Sequence, residues 1–125
     1  MPCERFPARR SKFKQKVRKM AEYPKNYNWI MSKFGPVIQA HQQLGQELTK
    51  AGPIDNKTGH LIQLAAAAAI RSEGSVHSHV RRALAAGASP EEIYHTLIIL
   101  TSTIGFPTTS AALSWAYDIL GTESG

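Results

Sequence analysis

The chain has 125 residues, 42% of them hydrophobic and 8% aromatic, which is enough for one domain with a real core. Its longest unbroken apolar run, Leu64 to Ile70, is far too short to cross a bilayer, and a single cysteine, Cys3, excludes an internal disulfide and a cysteine-based metal site. The formal charge of +6 is unevenly placed: residues 1–25 hold nine Lys or Arg against Glu4 and Glu22, a net of +7, whereas residues 26–125 hold six against seven acidic residues, a net of −1.

The basicity therefore belongs to an arm, residues 1–22, set off from a domain over residues 23–125 by Pro24. Within the arm, Ser11 caps a short amphipathic helix with Phe13, Val17 and Met20 on one face. No aromatic-basic interleaving beyond Phe6 and Phe13 supports base readout, so nucleic acid is not an expected partner. No apolar h-region follows Met1, and a cytoplasmic location is the expectation.

After Pro24, Tyr27, Trp29, Ile30 and Phe34 predict a short helix ended by Gly35 and restarted by Pro36. The next helix runs to about Lys50, with Val37, His41, Leu44 and Leu48 on one face, which casts His41 as a packed core histidine. Gly52-Pro53 breaks the chain, and Asp55 caps a helix through His60, Leu61, Leu64 and Ala65–Ala69 to about Arg71, expected to be buried all round at the centre of a bundle. A helix from about Ser75 ends at Gly87. Ser89, Pro90 and Glu92 then spell a capping box for a helix carrying Ile93, Leu97, Ile98 and Leu100. The last helix starts near Pro107, carries Ala111, Ala112, Trp115, Ala116 and Ile119, and stops at Gly121. No strand-type alternation competes, and the fold class is all-α.

The chemistry concentrates between Ser72 and Gly87. At about 100° per residue, Ser72, Ser75 and His79 fall within roughly 60° of one another and share a helix face. The bland alternative makes one serine an N-cap and His79 a core histidine. His77 and His79, two apart, point to different sides, and Glu73 with His77 offers only two metal ligands, so no metal and no other cofactor is expected. No Gly-x-Ser-x-Gly elbow is present, which argues against serine hydrolase chemistry.

Taken in order, the segments Asp55–Leu61, His79–Leu84, Gly87–Ile93 and Gly105-Phe106-Pro107 resemble the carboxymuconolactone decarboxylase and alkyl-hydroperoxidase-D-like family over about residues 27–120. The resemblance implies an all-α helical bundle that assembles as a homo-oligomer, a trimer or a hexamer, with its active site near the start of the helix bearing His79. In the peroxidase-like branch a Cys-x-x-Cys pair precedes the histidine. Here Ser72 and Ser75 stand in those places, and His60 stands where that branch keeps a proton-relaying glutamate. The decarboxylase-like branch also lacks the cysteines and shares the His-Val-Arg-x-Ala-Leu run, although its second position is usually acidic rather than serine.

A cysteine at a helix start can be a thiolate and close a disulfide after reducing a peroxide; a serine hydroxyl does neither. Alkylhydroperoxidase activity is accordingly the weakest of three readings. The leading one is non-thiol acid/base chemistry of decarboxylase type on a small carboxylic acid or lactone, with His79 and His60 moving protons and Ser75 and Ser72 at the pocket rim; Arg81 or Arg82 could supply charge, although an exposed helix arginine is more often simply solvated. The remaining reading is a catalytically inactive oligomeric scaffold or small-molecule-binding protein of the same fold.

Overall fold

The computed structural model describes residues 25–121; the basic arm and the helix expected after Ser11 lie outside the described residues. Helix α1 spans Lys25–Lys33 and α2 spans Gly35–Lys50. They are followed by α3 (Asn56–Ala69), α4 (Glu73–Ala85), α5 (Pro90–Ile98), α6 (Thr101–Ile104) and α7 (Phe106–Leu120), with no strand among the described residues. The chain divides into two compact units, one ending at Leu48 and the other beginning at Thr49.

In the first unit, Phe34 separates α1 from α2 and meets Trp29 edge-on, ring centroids 6.4 Å apart at 85°, while Lys33 Nζ sits 5.6 Å from the Trp29 centroid. Neither helix has a buried residue. His41 is therefore exposed, not packed in a core as its spacing suggested. The 3.6-residue stripe of Val37, His41, Leu44 and Leu48 marks a face that wants a partner, but spacing says nothing about what covers it.

The second unit holds the core. Helix α4 packs against α3 and α7, α7 also against α5 and α6, and α5 against α3. Leu64, Val76, Val80, Ile93 and Leu97 are completely buried, and Ala67, Ala68, Ala83, Ala112 and Ala116 are the small residues that let these helix axes approach. The alanine run is not buried all round: Ala67 and Ala68 face the core, while Ala66 and Ala69 are exposed, as are Ile62 and Ile70. Short side chains permit burial on any face without requiring it.

The caps follow the residues. Asp55 Oδ2 accepts from the Thr58 amide at 3.4 Å. At α5, the Glu92 amide donates to Ser89 Oγ (3.1 Å) and the Ser89 amide donates to Glu92 Oε1 (3.0 Å), the reciprocal box that the sequence spells. Helix α4 begins at Glu73, two residues before its expected start, and Ser72 occupies the N-cap without a side-chain capping bond. Helix α3 ends at Ala69 rather than Arg71 because Arg71 turns left-handed (φ 57°). The four-residue α6 and the turn at Gly105 (φ 88°) separate α5 from α7, a break that the apolar run Leu97–Leu100 conceals.

Candidate active site

His60 sits on the first turns of α3, and two contacts fix the register there. One is the Asp55 cap; the other is an ion pair from Lys57 Nζ to Glu92 Oε2 at 2.9 Å, which ties the start of α3 to the start of α5. Across the α3–α4 contact stands His79. It is flanked along α4 by Val76, Val80 and Ala83, three residues of the core. The imidazole centroids lie 5.8 Å apart with the rings inclined at 36°. Both rings are half-buried, and both Nδ1 atoms are buried without a protein hydrogen-bond partner.

An unpartnered buried ring nitrogen is costly, and the cost is heavier for the charged form. Burial and the Arg82 guanidinium, with the neighbouring His60, pull the His79 pKa from the ordinary 6.5 down to about 4. Burial and Arg82 also lower that of His60, against which a hydrogen bond with Gln63 acts weakly. At neutral pH both rings are uncharged. The arrangement is thus a pair of neutral bases within the field of the Arg82 cation.

Ser75 lies one turn before His79 on the same face and is half-buried, and Ser72 is the N-cap residue of α4. Both serines therefore stand at the start of the helix that carries His79. Of the two arginines proposed to supply charge, Arg82 is the one whose field reaches both imidazoles. The turn leading into Ser72 is held by Arg71, whose Nη2 and Nε donate to Thr108 Oγ1 at 2.6 and 3.2 Å. Sequence reasoning missed this clamp. Arginine gives no sign of a left-handed residue, and Thr108 lies 37 positions away. Gln63, one turn after His60, was within reach of the helical spacing and went unused.

The profile of the carboxymuconolactone decarboxylase family matches residues 36–118, about two thirds of the chain, and includes His60, Ser72, Ser75, His79 and Arg82. The chain belongs to the carboxymuconolactone decarboxylase family. A search of curated proteins finds none that matches. Family membership and the all-helical fold agree with the expectations from sequence. No helix among the described residues is long and apolar enough to cross a membrane.

Proposed function

We propose that this member of the carboxymuconolactone decarboxylase family carries out acid/base chemistry of decarboxylase type on a small carboxylic acid or lactone acid. His79 and His60 are the proton-moving groups, Arg82 provides charge for the carboxylate, and Ser72 and Ser75 are hydrogen-bonding groups at the rim. The single observation that carries this is the close pair of half-buried imidazoles with unpartnered Nδ1 atoms, both within the field of Arg82.

The sign of the electrostatics makes the site substrate-responsive. Empty, it disfavours imidazolium; a carboxylate bound beside Arg82 adds negative charge and raises both histidine pKa values, so that a proton enters with the acid. When the carbon–carbon bond to the carboxylate breaks, its electron pair remains on carbon and carbon dioxide leaves. The imidazolium then gives its proton to that carbon and returns to the neutral base. Serine at both rim positions leaves no dithiol to be oxidised, which sets thiol peroxidase activity aside.

Histidine ring NMR titrations with and without succinate, a small dicarboxylate probe, test the reading. The His79 midpoint is expected to rise by about one unit or more on adding succinate, and the response is expected to disappear in His60→Gln. If the two rings titrate independently and neither responds to succinate or to lactone acids, the shared acid/base site is wrong.

The scaffold reading is favoured by the same two serines together with large apolar side chains left exposed in the single chain, Ile70 at 74% and Phe106 at 60% among them. Such surface suits self-association into a homo-oligomer, which light scattering at micromolar concentration would reveal. Assembly and catalysis are compatible, so only the histidine titration discriminates the two.

A further inference from the structure

The side of α4 turned away from His79 carries a second set of donor side chains. His77 and His79 are two residues apart, about 200° around the helix, so what His77 faces is separate from the imidazole pair. Glu73 precedes His77 by four residues and shares its face. The fold adds a third group that spacing along α4 does not reveal: Asp118, near the end of α7, whose Oδ2 lies 3.1 Å from His77 Nε2. One donor atom from each of Glu73, His77 and Asp118 lies within 4.8 Å of the other two.

We propose that Glu73, His77 and Asp118 form a binding site for a divalent transition-metal cation of the zinc type. In a tetrahedral zinc site with bonds of about 2.0–2.2 Å, donor atoms stand roughly 3.3–3.6 Å apart. The His77–Asp118 pair is already near that spacing. The Glu73 carboxylate, within 4.8 Å of both, must close by at most about 1.5 Å, a matter of side-chain torsion at an exposed position.

The charges point the same way. Glu73 and Asp118 converge on His77 from two helices, and the two carboxylates repel each other where no cation lies between them. A doubly charged cation compensates both carboxylates, while the imidazole selects zinc-like ions over magnesium or calcium, which prefer oxygen alone. The His77 side chain is only 22% exposed, so its ring is held in place before metal arrives, whereas Asp118 at 55% leaves the remaining coordination position open to water. Arg81, one turn beyond His77 on that face, opposes a cation, and with three ligands the expected affinity is on the order of micromolar. A bound ion joins the first turn of α4 to the last turns of α7, independently of the acid/base reading.

The test is zinc titration of the untagged full-length chain, stripped with a chelator and exchanged into clean buffer, in competition with a chromogenic zinc indicator. One equivalent per chain is expected. Losing even a hydrogen-bond partner of a ligand weakens metal sites by about 10–100-fold, so losing a ligand itself through Glu73→Gln, His77→Gln or Asp118→Asn should lower affinity by at least about 10-fold. His60→Gln and Cys3→Ser should leave binding unchanged. Circular dichroism identifies any variant that fails to fold, and Asp118→Asn, at an exposed position, keeps the test decisive if a change in α4 unfolds the chain. No saturable uptake well above micromolar zinc, binding that survives both His77→Gln and Asp118→Asn, or binding lost with Cys3 or His60 would overturn the proposal.

Discussion

Helix α4 is entered and left through turns of the same construction. Before it, the Ser72 amide donates to the Ala67 carbonyl (3.0 Å) and that of Arg71 to Ala68 (3.1 Å); after it, the Ala88 amide donates to Ala83 (2.9 Å) and that of Gly87 to Leu84 (3.0 Å). Both are Schellman motifs with a left-handed residue just past the preceding helix. The residue at that point differs. Gly87, at φ 99°, adopts it without steric cost, whereas Arg71, at φ 57°, carries the penalty of an L side chain and is held by two hydrogen bonds to Thr108. The segments downstream of the two turns differ too. The turn at Gly87 leads into a fully reciprocated capping box whose Glu92 also binds Lys57, while the turn at Arg71 leads to an N-cap serine making no capping bond and, two turns on, to a histidine with a buried unpartnered nitrogen. One end of α4 is closed by satisfied polar groups and the other, where the proposed acid/base site lies, is left with hydrogen-bonding capacity unspent.

Substitutions at Arg71 should separate the two turns most strongly. Arg71→Ala keeps the left-handed penalty and removes both bonds to Thr108, so a loss of about 2 kcal/mol is expected in chemical denaturation. Arg71→Gly loses the same bonds but sheds the penalty, and should be less damaging by roughly 1 kcal/mol. If the two variants are equally unstable, the side chain rather than the backbone governs that turn. Gly87→Ala isolates the other end. Nothing lies within 4 Å of a Cβ built there, so its expected cost of about 1.5 kcal/mol is backbone strain alone, and a neutral result would show that the turn relaxes.

The two ends also differ in how legible they were. Gly87, Ser89, Pro90 and Glu92 are residue types whose preferences match their places, and the capping box was readable to the residue. Asp55 was readable for the same reason, and the alanine run announced a helix although not which side it buries. At the other end, local preference and structure disagree. An arginine in the left-handed region and a clamp to a threonine on α7 are decided by tertiary contact, as is the approach of Asp118 to His77, 41 positions apart. The pairing of His60 with His79 came from the family resemblance and not from any spacing, because they lie on different helices. His41 failed the opposite way: a regular stripe read as core proved to be an exposed face.

Acid titration sharpens the contrast within the open end. Because the folded-state pKa of His79 is depressed, the unfolded chain takes up its proton near the ordinary 6.5 while the folded chain resists until about 4. Protonation linked to His79 therefore costs the folded state nothing above pH 6.5 and destabilises it progressively as pH falls from 6.5 towards 4. His60, lowered in the same direction, adds to the slope. Melting temperature should fall across this window in the wild type and fall less steeply in His79→Gln. Equal slopes would mean that the His79 ring is as well solvated folded as unfolded.

The smallest expected effect is also the most pointed, since it compares two histidines on one helix. His79 leaves Nδ1 buried without a partner, while His77 holds Asp118 at 3.1 Å. Replacing an unsatisfied buried polar group by an apolar one of similar size removes a desolvation cost and keeps the packing, so His79→Leu should stabilise the fold by about 1 kcal/mol. His77→Leu leaves only the solvent-accessible Asp118 without its partner and should destabilise by about 0.5 kcal/mol or less. Opposite signs from residues two positions apart would identify the His79 nitrogen as a group kept at a cost to stability. His79→Leu should then also abolish the response of His60 to succinate, which His77→Leu leaves intact. If His79→Leu instead destabilises by about 2 kcal/mol or more, as for a well-packed and satisfied core residue, the ring is structural and the open end of α4 holds no site.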